Sequence, residues 1–284
     1  ITRADLGSGE ASVYKIVTES DSYFNVYSKP SYDGYRLIKN FNKKPWDLGE
    51  PLGVLSFPQG YELIYASDSK KGTTFSEVEL IRWISGEDYA VPDGKASVLS
   101  PLQLITKEVV YGADLNQDGS IGLLPAGTRA DYGSGTTSVY EISAVGHGIL
   151  ADGSTYLTPL MDTKGNAWSS AIPIGVEETT SGYNLITETS GKKGSTFSEY
   201  SVSIDGEVSK KGAKLTSLQL VGEEVVYGAD LNQDGSIGLL PAGDRSDYGS
   251  GTTEVYEISG VGHGILADGA DYLTPLTDTK GNAG

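Results

Sequence analysis

Between Thr196 and Ile204 the chain reads TFSEYSVSI, and Tyr200, Val202 and Ile204 alternate with Glu199, Ser201 and Ser203. A period of two puts one set of side chains on one face, which predicts a half-buried β-strand. TSVYEIS (137–143), STYLTPL (154–160) and GYNLITET (182–189) are also short, rich in β-branched and aromatic residues, and bounded by Gly, Asp, Asn and Ser. They read as further strands separated by turns. A different period follows Ser100-Pro101, a favourable N-cap and N1 pair. Leu102, Ile105 and Val109 recur at i, i+3 and i+7 and predict a short helix with that face inward, and Leu218, Val221 and Val225 repeat the pattern. The fold expected is mainly β, built of α+β units.

The pattern recurs because the sequence does. Residues 108–167 and 224–283 differ at 7 of 60 positions: 128, 130, 138, 144, 154, 155 and 161. An older copy lies upstream. Trp46 begins WDLGEPLGVLSFPQGYELI, which pairs with WSSAIPIGVEETTSGYNLI from Trp168, and Thr2–Asp5 pairs with Thr128–Asp131. The offset falls from 126 to 122 to 116, so the first copy carries short insertions between Val13 and Trp46 and between Leu80 and Asp114. The reading is therefore one unit over 1–127, a second over 128–243 and a partial third over 244–284: tandem β-rich repeats, each with one short helix leading into a loop, cut from a longer array.

Composition narrows the chemistry. There is no cysteine in 284 residues, which removes disulfides, thiolate metal sites and thiol nucleophiles. A net charge of −17 repels phosphate backbones, so no nucleic-acid partner is expected. No apolar run approaches the ~18 residues of a membrane span, so no membrane insertion is expected.

The candidate chemistry sits in the loop after each helix. Asp114, Asn116 and Asp118 put side-chain oxygens at positions 1, 3 and 5, Gly119 at position 6 permits a sharp turn, and Ile121 at position 8 can pin the loop to the core. Position 7 would offer the backbone carbonyl of Ser120. Asp230, Asn232, Asp234, Gly235 and Ser236 repeat the set. Oxygens at alternate positions of a tight turn converge, and a hard cation taking six to eight oxygens is the ligand they suit, so Ca2+ is the expected cofactor. Position 12, a glutamate in an EF-hand loop, is Pro125 or Pro241. The closing ligand is left open among Glu108/Glu224, Asp131/Asp247 and water.

A helix running into DLNQDGSIG, with Trp168, Pro173-Ile174-Gly175, Ser181-Gly182-Tyr183 and FSEY at 197–200 upstream, resembles the tryptophan-rich C-terminal repeat family of large bacterial secreted and surface proteins. The first copy matches at Trp46, Pro51-Leu52-Gly53, Gly60-Tyr61 and 114–122, so the likeness covers nearly the whole chain. The family's tryptophan in the strand after FSEY is here Ser203. The resemblance implies an extracellular, calcium-dependent structural or adhesive module. The loop alone is also similar to that of dockerins, whose paired loops lie much closer together than the 116 residues here, so a cohesin partner is not expected.

His147 and His263, each between two glycines, read as turn residues. Trp46 and Trp168 read as core, with a sugar-stacking platform as the rival. No nucleophile, base and orienting residue stand out together, and a duplicated chain argues against one active site, so no enzyme is expected. The expected function is a spacer, surface-layer or adhesive segment of a bacterial extracellular protein. Its expected partners are neighbouring repeats, identical chains or surface polysaccharide, and a carbohydrate-binding module is the alternative.

Overall fold

The strand patterns resolve into sheets whose layering explains them. In the computed structural model, described at residues 2–3, 5–6, 11–17, 22–28, 36–38, 46, 48–58, 60–82, 89–133, 135–143, 145–192, 194–241, 244–247, 251–258, 262–279 and 281–282, the protein is mainly β, with four sheets and two helices. It divides into two compact units: Ile1–Leu123 with Lys164–Asn166, and Leu124–Thr163 with Ala167–Gly284.

The second unit shows the layering plainly. Thr128–Arg129, Ser138–Ile142, Gly146–Leu150 and Thr158–Pro159 form one antiparallel sheet; Ile172–Thr179, Gly182–Gly191, Gly194–Ser203 and Ala213–Leu215 form another. Val139, Ile149 and Leu160 of the first sheet meet Trp168, Tyr183, Leu185 and Val202 in one core. On the other face of the second sheet, Ile174 and Ile186 pack against Leu220 and Tyr227 of the helix Ser217–Tyr227, joined by Ala229 and Leu231. The middle sheet is thus covered on both faces. That is why Tyr183, Leu185, Ile186 and Thr187 are all buried where a one-sided strand would alternate. The same unit holds a third sheet, Asp244–Arg245, Glu254–Ile258, Gly262–Leu266 and Thr274–Pro275.

The first unit uses the same two cores, one around Val13, Trp46, Val54, Leu63 and Leu80 and one around Ile64, Leu104, Tyr111 and Leu115. Its strands join into a single nine-stranded sheet. The join is made by Arg36–Ile38 and Tyr89–Pro92, which pair in parallel. The second unit has a counterpart of this pairing in the parallel bridge of Met161 with Glu207.

Both helices carry a full capping box. Ser100 and Thr216 accept from the amides of Gln103 and Gln219, whose side chains accept in return from the cap amides. Leu102 is buried as the apolar spacing predicts, but the rest of the inward face differs. Leu104, Glu108 and Tyr111 are buried, at i, i+4 and i+7, whereas Val109 and Val110 are exposed; Leu220, Glu224 and Tyr227 are buried, and Val225 and Val226 are exposed. A glutamate on the core side breaks the apolar count, and two valines on the solvent side inflate it. Three strand expectations also change. Ile204 lies 60% exposed in the turn beyond its strand. Of STYLTPL only Thr158–Pro159 form a strand, with Leu157 beside them in a bridge and Thr155–Tyr156 in a bend. His147 and His263 are strand residues opposite Glu141 and Glu257, not turn residues.

Candidate metal centre

Each loop is fastened to its unit before any oxygen is placed. Leu115 and Leu231, at position 2, are 0% and 1% exposed and hold the loop to the core. Ile121, the residue expected to do so, and its counterpart Ile237 are half-buried. Gly53 and Gly175 make room: a Cβ on Gly175 would stand 2.9 Å from Leu231 and 3.0 Å from Tyr227. The strand is bulged between Pro173 and Gly175 at this point.

Glu108 and Glu224 then brace the loops from inside. Each is fully buried. Glu108 Oε1 accepts from the Asn116 amide at 3.1 Å and Oε2 from the Gly122 amide at 3.0 Å; Glu224 holds Asn232 at 3.1 Å and Gly238 at 2.9 Å. One carboxylate therefore clamps the two ends of each turn. Burial pushes both carboxyls up from their ordinary value, the two amides oppose it, and the loop aspartates add to the rise. These glutamates were among the options for the closing ligand, and the structure places them as braces.

The oxygens at positions 1, 3 and 5 accept hydrogen bonds from within the turn. The Asp118 amide donates to Asp114 Oδ1 at 3.1 Å and to Asn116 Oδ1 at 2.8 Å, and Gly119 N–H donates to Asp114 Oδ2 at 2.9 Å. Asp118 Oδ1 accepts from the Ser120 amide at 3.0 Å and hydroxyl at 2.7 Å. Those two donors hold the Asp118 carboxyl below the usual carboxylate range, the hydroxyl contributing most. Asp230, Asn232, Asp234 and Ser236 repeat the arrangement with the same partners. The loop needs three left-handed residues, of which Gly122 and Gly238 at position 9 take φ of 65° and 66°. Gly119 and Gly235 take φ of 96° and 95° at position 6, and Gln117 and Gln233 take 60° and 58° at position 4, where a side chain adds strain.

Asp131 and Asp247, the other options for closure, serve their own hairpins. Asp131 accepts from the Val139 amide at 2.6 Å, the Gly133 amide at 3.0 Å and Arg129; Asp247 holds Val255 N–H at 3.0 Å and Arg245. Among the described residues no group of three or more His, Cys, Asp or Glu is gathered as a metal site. Each loop offers two carboxylates, an amide oxygen and backbone carbonyls, a donor set of hard oxygens that fits calcium.

Trp46 and Trp168 are each 5% exposed, edge-on to Tyr65 and Tyr200, so both are core residues and neither offers a sugar a flat surface. Among the described residues no helix is long and apolar enough to cross a membrane.

No family model matches the chain, and no curated protein sequence does. The crystal structure of a GH43_1 enzyme from Xanthomonas citri aligns at 10% identity over 76% of this chain and 74% of that one, with a TM-score of 0.20.

Proposed function

We propose that the chain is a calcium-binding tandem-repeat module of a bacterial extracellular or cell-surface protein, acting as a structural spacer, surface-layer or adhesive segment. The observation that carries this reading is the recurrence of one oxygen-lined turn, clamped by one buried glutamate, at two places on the same scaffold. Asp114, Asn116 and Asp118 would hold the ion by their side chains and Ser120 by its carbonyl, with Asp230, Asn232, Asp234 and Ser236 doing the same in the second unit. Water completes the coordination, because Glu108 and Asp131 are engaged elsewhere. The ion supplies charge neutralisation and cross-linking of the turn. At tenfold excess over Kd, each site adds about 1.4 kcal/mol. That is enough to stiffen a unit already packed on two cores, and too little to fold one.

Calorimetric titration of metal-stripped protein tests this. Two equivalents of calcium are expected, with magnesium much weaker, because magnesium demands stricter octahedral geometry. Asp118→Ala and Asp234→Ala should each reduce the stoichiometry to one. Absence of heat at millimolar calcium would refute the reading.

A further inference from the structure

The third sheet repeats residues 128–159 almost residue for residue, yet its two faces are treated differently. One face is seated. Leu273 is 2% exposed and its amide donates to Leu239 O at 2.8 Å. Beyond it, Gly281 O accepts from the Thr216 hydroxyl at the N-cap of the second helix, at 2.7 Å. The opposite face carries Val255 and Ile265, directly paired across their hairpin, and Leu276. Their counterparts Val139, Ile149 and Leu160 are each 0% exposed, sealed beneath Trp168, Tyr183, Leu185 and Val202. Here Val255 and Ile265 are only half-buried and Leu276 is 38% exposed.

The centre of this face is chemically the same as a surface that serves as core elsewhere in the molecule. Only its rim is more polar: Ser246 stands where the other sheet has Ala130, and Thr277 where it has Met161. Three apolar residues in the register of a known sheet-on-sheet contact call for the complement already seen there. We propose that the face of Val255, Ile265 and Leu276 is the docking surface for a further four-stranded sheet of the 172–215 type, entered through a tryptophan. Two copies meeting through this face would set the same three residues against themselves and lack the indole that fills the core of the second unit. The docking is independent of whether the loops hold metal.

Extending the chain tests it. Ala283 corresponds to Ala167, so residues 1–283 followed by a second copy of 168–243 place a tryptophan in the register of Trp168. Hydrogen exchange in Glu254–Ile258 and Gly262–Leu266 should slow by about 100-fold or more, approaching that of Ser138–Ile142 and Gly146–Leu150 in the same molecule. Alanine in place of the added tryptophan, or Leu276→Asp on the exposed face, should reverse most of that protection. Unchanged exchange in the extended chain would overturn the proposal. So would a dimer of the unextended chain in sedimentation that Leu276→Asp returns to monomer, since the occupant would then be a second copy.

Discussion

Glu108 and Glu224 show how a residue can be plain in a sequence while its partners are not. Their place before each loop drew attention as possible metal ligands, whereas the structure uses both oxygens of each on backbone amides. The loop oxygens themselves could be read directly, because side-chain spacing within a tight turn is a local property. The anchor could not: Leu115 and Ile121 are both apolar loop residues, and only the packing of the helix on the sheet decides that Leu115 goes in. Glu224→Gln tests the brace. A glutamine can accept one of the two amides but turns a donor toward the other, leaving a buried N–H unpaired. A loss of about 2–3 kcal/mol is expected in denaturant unfolding of the second unit, together with weaker calcium binding at the second loop only. A variant as stable as the parent would mean the clamp contributes nothing.

The helices illustrate a failure of periodicity with a definite cause. Counting apolar residues selected Leu102, Ile105 and Val109; Leu102 is buried, but the rest of the inward face is Leu104, Glu108 and Tyr111, and Val109 is exposed. Among the strands, Gly182–Gly191 was easy because both its faces are buried. Ile172–Thr179 was missed because Pro173 and Gly175 look like breakers; they sit at a bulge instead. The two helices also differ in charge at one equivalent place. Lys107 of the first pairs with Glu62 at 3.1 Å and with Glu77. The second has Glu223 there, facing Glu199 and Glu177 from the sheet beside the Tyr227 ring. Burial first, then those two charges, push the Glu223 carboxyl up. Its folded value thus lies above its unfolded one, so the stability it contributes is present below the unfolded value and lost as pH rises through the folded one. Glu223→Lys should therefore raise stability by about 1 kcal/mol at pH 7, or about 2–4 °C in Tm. The gain should shrink toward pH 4. Thermal unfolding of variant and parent across this range checks it; a gain that grows on acidification would contradict the assignment.

Taken whole, the molecule is a highly acidic repeat protein that places two of its charge concentrations in identical turns. The duplication was visible by direct comparison, and with it the β-rich class. The nine-stranded sheet of the first unit was not, because it depends on a parallel pairing between two strands far apart in sequence, Arg36–Ile38 and Tyr89–Pro92, that no local pattern announces. Two calcium ions would bring four positive charges to a chain of net −17 and ease its self-repulsion. The central claim is that both turns hold the ion through the same oxygens. Anomalous diffraction from crystals grown in millimolar calcium addresses it most directly. One peak is expected in each loop, bonded to the side-chain oxygens of Asp114, Asn116 and Asp118 and of Asp230, Asn232 and Asp234, with the carbonyl of Ser120 or Ser236 beside it. Loops without a peak under those conditions would contradict it.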